Sequence, residues 1–223
     1  MHLHNGDRAH DHPAAGGGVI RWARRYDLLV PAVLAGRGRA LRTRIGRIVQ
    51  LQEGQRVLDI GCGTGTLTLA MARIVGPTGA AIGVDAAAEM VAAALRKAGR
   101  RSLPPTFYVA SAQHLPFEDA VFDVAVMTLA LHHLPPGDRP QAISEMLRVL
   151  RPGGHLLIVE FRAPAHRIGR ALVTRTFGHA MVDTDLTSVM TLVSGAGAHE
   201  VQQSPTPVPW LGAVHARSPT PSG

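Results

Sequence analysis

Apolar positions along this chain recur in two alternating periods, one helical and one extended. Val19, Trp22, Ala23, Tyr26, Leu29 and Val30 follow helical spacing until Pro31 interrupts them. A second helix over about 37–50 places Leu41, Ile45, Ile48 and Val49 inward and its arginines outward. Beyond the Glu53-Gly54 turn, Val57, Leu58 and Ile60 form a short buried strand, followed by a helical face of Leu67, Ala70, Met71 and Ile74. The alternation continues. Strand Ala80–Val84 precedes a helix over 86–98 that buries Met90, Val91, Ala94 and Leu95, and strands at 106–110 and Val121–Met127 follow. A helix with Ala142, Ile143, Met146, Leu147 and Leu150 inward then leads through an Arg151–Gly154 turn to strand His155–Phe161. Residues 162–183 carry a mixed helical pattern, and 184–195 a helix closed by Gly195 and Gly197. The strands at 198–203 and 211–216 are joined by Ser204–Trp210, too short for a crossover helix, and so pair antiparallel. The pattern predicts an α/β fold: a doubly wound, seven-stranded sheet, mostly parallel with an antiparallel last strand, and helices on both faces.

With 223 residues, 46% of them hydrophobic, the chain fits one domain, predicted over 19–216 with 19–50 as a helical lid. Residues 1–18, with four histidines and Gly16-Gly17-Gly18, and residues 217–223 lack apolar periodicity and read as disordered tails. No run approaches the roughly 18 apolar residues of a membrane span, and the first residues lack a signal peptide's apolar core, so a cytoplasmic location is expected. One cysteine, Cys62, rules out a disulfide framework. The histidine spacing (His2, His4, His10, His12) matches no structural zinc pattern, and no metal is expected. The net charge is +7, and Lys97 is the sole lysine. Eight arginines crowd residues 21–47, which reads as a solvated face or as a surface that attracts anions.

The chemistry lies where strand gives way to helix. Val57–Gly65 reads Val-Leu-Asp-Ile-Gly-Cys-Gly-Thr-Gly, three glycines at alternate positions after a buried strand, with Asp59 just before them. Glycines at such a turn permit close backbone approach to a ligand. The spacing differs from the dinucleotide pattern G-x-G-x-x-G, and the Asp59 charge would repel a pyrophosphate but hold an ammonium group. That points to S-adenosylmethionine (SAM). Asp85 follows Gly65 by 20 residues, at the end of the second strand, where a carboxylate takes both hydroxyls of a ribose. Strands three and four end at Ser111-Ala112-Gln113 and Thr128-Leu129.

These blocks resemble the class I SAM-dependent methyltransferases, Rossmann-like enzymes, and most of all the small-molecule branch that includes the ubiquinone and menaquinone biosynthesis methyltransferases. The resemblance runs over about 19–216. Besides Val57–Gly65 it rests on Gly83-Val84-Asp85 with Met90, on Leu115–Glu118 leading into Phe122-Asp123, and on Leu150–Gly154. It implies that Asp59, Gly61, Cys62, Gly63, Thr64 and Gly65 cradle the methionine part of SAM, with Thr128 and Leu129 lining it. Asp85 and Ala86 would face the ribose, Met90 the adenine, and Ser111, Ala112 and Gln113 the adenine edge. Ser111 stands where the family usually has an aspartate, which weakens the expected grip on SAM. Within the loop, Cys62 reads as a small buried filler, with nothing nearby to activate a thiol.

The resemblance implies methyl transfer to an O, N or C atom of a small organic acceptor. His132 and His133, just past the fourth strand, are the candidate general bases, or else simply pack or cap there. Tyr26, on the first helix, is a candidate acceptor contact or plain core. Arg56, Arg148 and Arg151 read as surface charge. An RNA or protein acceptor docked on the arginines is the alternative, although 4% aromatic content disfavours nucleic acid. A non-catalytic SAM-binding subunit is another, and a nicotinamide dehydrogenase lacks its glycine spacing. A monomer or homodimer is expected.

Overall fold

The computed structural model describes residues 34–99, 105–162 and 185–220. The helix expected over 19–30, with Tyr26, and nearly all of the mixed segment 162–183 lie outside the described residues. In chain order the elements are α1 (Gly38–Ile48), β1 (Arg56–Ile60), α2 (Thr66–Val75), β2 (Ala80–Asp85), α3 (Ala88–Ala98), β3 (Thr106–Val109) and β4 (Phe122–Thr128). After them come α4 (Arg139–Val149), β5 (Leu150–Phe161), α5 (Leu186–Gly195), β6 (His199–Pro205) and β7 (Leu211–Arg217). The seven strands form one sheet in the order β3-β2-β1-β4-β5-β7-β6. Pairings among β1 to β5 are parallel, and β7 runs antiparallel to both β5 and β6, as the sequence predicts. Between β1 and β4 the order reverses, and such a switch point opens a crevice beyond the strand ends.

Strand alternation sends Leu58, Ile60, Ala125, Met127, Leu156 and Ile158 to one face, against Ile143 and Met146 of α4 and Val189 and Val193 of α5. Val57, Val124, Val126, Leu157 and Val159 go to the other, against Leu41 and Ile45 of α1 and Met71 and Val75 of α2. Leu69, Val91, Ala94 and Phe107 join α2, α3 and β3 in a smaller cluster.

One helix is rotated from its expected phase: Ile74 of α2, read as inward, is 42% exposed, while Thr68, Leu69 and Ala72 turn inward. In a helix apolar on most sides, the period gives no phase. The face read for α3 holds, with Met90, Val91 and Ala94 buried, except that Leu95 is 50% exposed and Ala98 is buried in its place. The Arg151–Gly154 turn is likewise absorbed into β5: Leu150 pairs with Phe122, the register shifts, and Gly153 takes a φ of 72°.

That stretch is held from the C-terminal side. Ser218 donates its N–H to the Gly154 carbonyl (2.9 Å) and accepts that of Gly153 (3.2 Å) at its own. Arg217 ends β7 and Ser218 is buried, so these two residues are part of the sheet rather than of the loose tail expected from 217 onward. Neighbouring arginines are also tied in. Arg148 pairs with Glu145 (2.6 Å) and Asp119 (2.8 Å) and donates to the carbonyls of Leu115 and Phe117, Arg151 pairs with Asp123, and Arg56 lies over the Phe122 ring. Arg148 is therefore a clamp on the loop after β3, not mere surface charge.

Where β5 meets β7, Arg217 donates to His155 Nε2 (2.7 Å), and His155 Nδ1 lies 2.8 Å from His215 Nε2. With its Nε2 accepting, neutral His155 carries its proton on Nδ1 and donates it to His215. A second proton would point at the guanidinium. Burial and Arg217 accordingly lower the His155 pKa to about 4. A base whose folded pKa lies below its unfolded value stabilises the fold at neutral pH, and that stability is lost as pH falls through 6.5 towards 4. We expect His155→Gln to flatten the acid limb of the wild-type stability curve between those values, by at most about 3 kcal/mol. Urea midpoints measured across that range check this, and parallel curves would refute it.

Candidate active site

The carboxyl ends of β1, β2 and β4 converge on the glycine loop. Gly61, Gly63 and Gly65 have φ of 68°, 54° and 75°, the left-handed region that side chains rarely adopt. Two of them are also sterically obligatory. A Cβ on Gly61 would sit 2.4 Å from the Ala130 Cβ, and one on Gly65 would sit 2.6 Å from the Phe107 ring. The glycines thus admit neighbouring protein as well as ligand. Gly83 adds to this, since its missing Cβ leaves room for the same Phe107 ring.

Three contacts fix the loop. Cys62 donates its N–H to the Val84 carbonyl (2.9 Å), Gly63 donates its own to Asp85 Oδ2 (2.8 Å), and Gly65 donates to the Cys62 carbonyl (3.0 Å). Asp85 Oδ1 accepts from Ala87 N–H (2.9 Å), so this carboxylate holds both the loop and the entry to α3. Lys97 reaches across from α3 to the hydroxyls of Thr64 (2.8 Å) and Thr66 (3.0 Å). The Cys62 side chain packs against the Phe107 cluster, and burial pushes its thiol pKa far up. It is an inert filler, as expected.

Asp59 is 1% exposed, and its Oδ2 accepts the Thr68 hydroxyl (2.6 Å). Burial raises its pKa to about 7, with Asp85 adding to the rise and Thr68 opposing it. Burial raises Asp85 as well, against the pull of its two backbone N–H donors. One buried and one half-buried carboxyl thus stand at adjacent strand ends, each raised mainly by loss of water. Close by, the Thr128 hydroxyl is buried with no hydrogen-bond partner among the described residues, an uncommon and costly state. Leu129, next in the chain, sits at a φ of 54°, a strained value for leucine, with its N–H held by the Val159 carbonyl (2.8 Å).

On the β3 side, Ser111 Oγ donates to Gln113 Oε1 (2.5 Å) and accepts the Gln113 N–H (3.2 Å), while Gln113 Nε2 donates to Asp138 (3.2 Å). Both are tied to each other and to the chain before α4. Ala112 is half-buried between them, Ala86 is exposed, and Met90 is 3% exposed, packed with Ala87.

Past β4, a 3₁₀ turn over Leu131–His133 presents both histidines. Its anchor is Glu160, fully buried on β5, a residue the sequence reading missed because it stands inside an apolar strand. Glu160 Oε1 accepts the N–H of Leu131 (2.9 Å) and Oε2 takes His132 Nδ1 (2.9 Å). The His132 ring lies edge-on to Phe161 (5.5 Å) and 4.1 Å from His133. The His133 ring is lowered below the usual histidine range by burial and by its neighbour. His132 is thus oriented by a buried carboxylate, and His133 has no such partner.

The site gathers Asp59, the loop, Asp85, Thr128, Leu129 and His132 at the ends of β1, β2, β4 and β5, and Ser111–Gln113 beyond β3. Comparison with known proteins agrees with this arrangement. Residues 57–154 match the methyltransferase domain family. The chain is 36% identical over 161 residues to the ubiquinone/menaquinone biosynthesis C-methyltransferase UbiE of Geobacter sulfurreducens, covering 70% of this chain and 60% of that protein. It is 31% identical over 159 residues to the demethylmenaquinone methyltransferase of Halalkalibacterium halodurans, 71% of this chain and 64% of that one. The chain spans about three-fifths of the length of the curated relatives it matches. Among solved structures, a SAM-dependent methyltransferase from Aquifex aeolicus superposes with a TM-score of 0.72 at 20% identity, over 88% of this chain and 96% of its own. The [4+2]-cyclase SpnF superposes with a TM-score of 0.67 at 21% identity, over 81% and 80%. The chain thus resembles the class I SAM-dependent methyltransferases in sequence and has their fold.

Gly61→Ala is expected to cost more than 2 kcal/mol, from a clash with Ala130 added to left-handed backbone strain. Adding Ala130→Gly removes the clash and leaves the strain, so it restores part of the loss. Denaturant midpoints of the three variants and the wild type measure both terms, and a double variant no better than Gly61→Ala would show that the contact is not limiting.

Proposed function

We propose that this chain is a SAM-dependent methyltransferase of a small organic acceptor, with His132 as general base and Glu160 as the group that positions it. The observation that carries the reading is the placement of two carboxyls, buried Asp59 and half-buried Asp85, at adjacent strand ends on either side of a glycine loop, with no ion pair to either among the described residues. That cradle suits a ligand bearing an ammonium and a sulfonium, and the unpartnered Thr128 hydroxyl supplies a polar contact for its amino-acid end. When bound, SAM supplies a methyl group on a positively charged sulfur, already electrophilic.

The protein's work is then alignment and proton removal. Asp59 and the loop backbone hold the amino-acid end, Asp85 the ribose, and Met90 and Ser111–Gln113 surround the base. Ser111 and Gln113 satisfy each other, so little of their hydrogen-bonding capacity remains for the adenine, in keeping with a looser grip. Glu160 takes the proton-bearing Nδ1 of His132, which leaves Nε2 as the acceptor for a proton from the acceptor molecule. The names of the relatives favour carbon as the methylated atom, on a ring that a hydroxyl makes nucleophilic. Loss of the ring proton, or of the hydroxyl proton, is the step a base assists.

Two measurements test the reading. Because burial raises the Asp59 carboxyl to about 7 and a cation favours its ionised form, SAM binding at pH 6 is expected to release up to about one proton, seen by calorimetry in buffers of different ionisation heat. Asp59→Asn abolishes that release and Asp85→Ala abolishes binding. A pH-independent affinity, or full affinity in Asp85→Ala, would overturn the assignment. For the base, Glu160→Gln lowers kcat by roughly 10- to 100-fold on a quinone-precursor phenol, with KM and SAM affinity near wild type and a displaced pH–rate profile. His132→Asn loses more, whereas His133→Asn is nearly silent.

A further inference from the structure

At the edge of the molecule, α1 and the loop after β6 line an open cleft of about 730 Å³ that the proposed chemistry does not use. One wall is a stripe of α1 and the turn before it, carrying Arg37, Arg39, Arg44 and Arg47, and the other holds Pro205 and Pro207. Leu41 and Ile45 point the opposite way, into the core, so the cationic stripe is the helix's outer face. Arg44 Nε donates to the Pro205 carbonyl (3.3 Å), which ties the walls together, and Arg37 donates weakly to the Ala35 carbonyl (3.4 Å). Among the described residues no carboxylate pairs with any of the four arginines. The neighbouring Arg42 is lowered in pKa by burial and by the like charges of Arg39 and Arg73, a sign that positive charge here is uncompensated.

We propose that this cleft binds a phosphate ester, an anionic phosphate carried on an organic body. Planar guanidinium forks match phosphate oxygens in pairs, and several on one wall satisfy a doubly charged group better than a carboxylate. The volume lies within the range of organic-ligand sites and far exceeds the need of a bare anion. The proline wall and the arginine stems offer the apolar contact that an organic body requires. Nucleic acid fits less well, because only 4% of the chain is aromatic and the residues lining the cleft include none, leaving little to stack bases on.

The test uses the full chain at moderate salt, with Arg39→Gln/Arg47→Gln as the variant, and SAM binding and circular dichroism as controls that both changes should leave untouched. Calorimetry with glycerol 1-phosphate and flotation with phosphatidylglycerol or phosphatidylcholine vesicles separate a soluble ester from a lipid headgroup. Saturable binding of the soluble ester, weakened about tenfold or more in the variant, supports the site with a soluble source. Binding confined to phosphatidylglycerol vesicles and lost in the variant supports it with a headgroup source. The proposal is overturned if sulfate binds as tightly as the ester, if the variant binds equally well, if mixed RNA alone binds, or if nothing binds at millimolar concentration. Because SAM binding is followed separately, none of these outcomes depends on the assignment of the methyl-transfer site.

Discussion

The hydrogen bond from Gly63 N–H to the Asp85 carboxylate, with its partner from Ala87 N–H, is the constraint on which the site rests. A loop leaving a parallel strand has no ladder to receive its backbone donors, and buried donors left unpaired are costly. Asp85 answers that need from the neighbouring strand, so the end of β2 fixes the loop after β1. Burial behind the loop, where Asp59 accepts from Thr68, raises that second carboxyl, and Asp85 adds to the rise. The packing that orders the loop therefore also leaves Asp59 in the state that a bound cation would most favour ionising.

Sterics reinforce this from the opposite side. Phe107 on β3 fills the space that Cβ atoms on Gly65 and Gly83 would occupy, and Ala130 after β4 fills that of Gly61. The loop is squeezed between the elements on either side of β1 and β2, and its positive-φ glycines follow from that closeness. The sequence reading credited the glycines to ligand access; in the folded chain they first allow three strands' ends to come together. Pre-organisation of the site is thus a property of packing.

Much of this was legible in the chain. Strand and helix periods placed the five α-helices and seven strands of the described residues and the antiparallel β7, because β-branched runs and helical spacing are local signals, while the 3₁₀ turn at Leu131–His133 left no such period. The carboxylates and the loop were legible because each stands at a strand end. The phase of α2 was not: it is apolar on most sides, and Ile74 is exposed because packing chose the face of Thr68, Leu69 and Ala72. In α3, where Glu89, Arg96 and Lys97 mark a polar side, the inward face was legible except at Leu95. Glu160 was also hidden. Inside Leu-Leu-Ile-Val-Glu-Phe it looks like a strand residue, and only the three-dimensional return of the 3₁₀ turn gives it the N–H of Leu131 and the ring of His132. Arg148 was hidden for the same reason, its partners lying some 30 residues earlier in the chain.

Glu160 also decides between two adjacent histidines that sequence treats alike. A buried carboxylate bonded to one imidazole fixes its tautomer and ring plane, whereas the other ring, exposed and not bonded to that carboxylate, is left unoriented by it. The division reaches beyond these two residues. The carboxyl-end site holds its acids at β1, β2 and β5, while the arginines of α1 stand against the loop after β6. Among the described residues no arginine pairs with Asp59 or Asp85. Had an α1 guanidinium reached either carboxylate, the pKa would fall rather than rise, and the cradle would lose the unpaired charge that makes it selective for a cation.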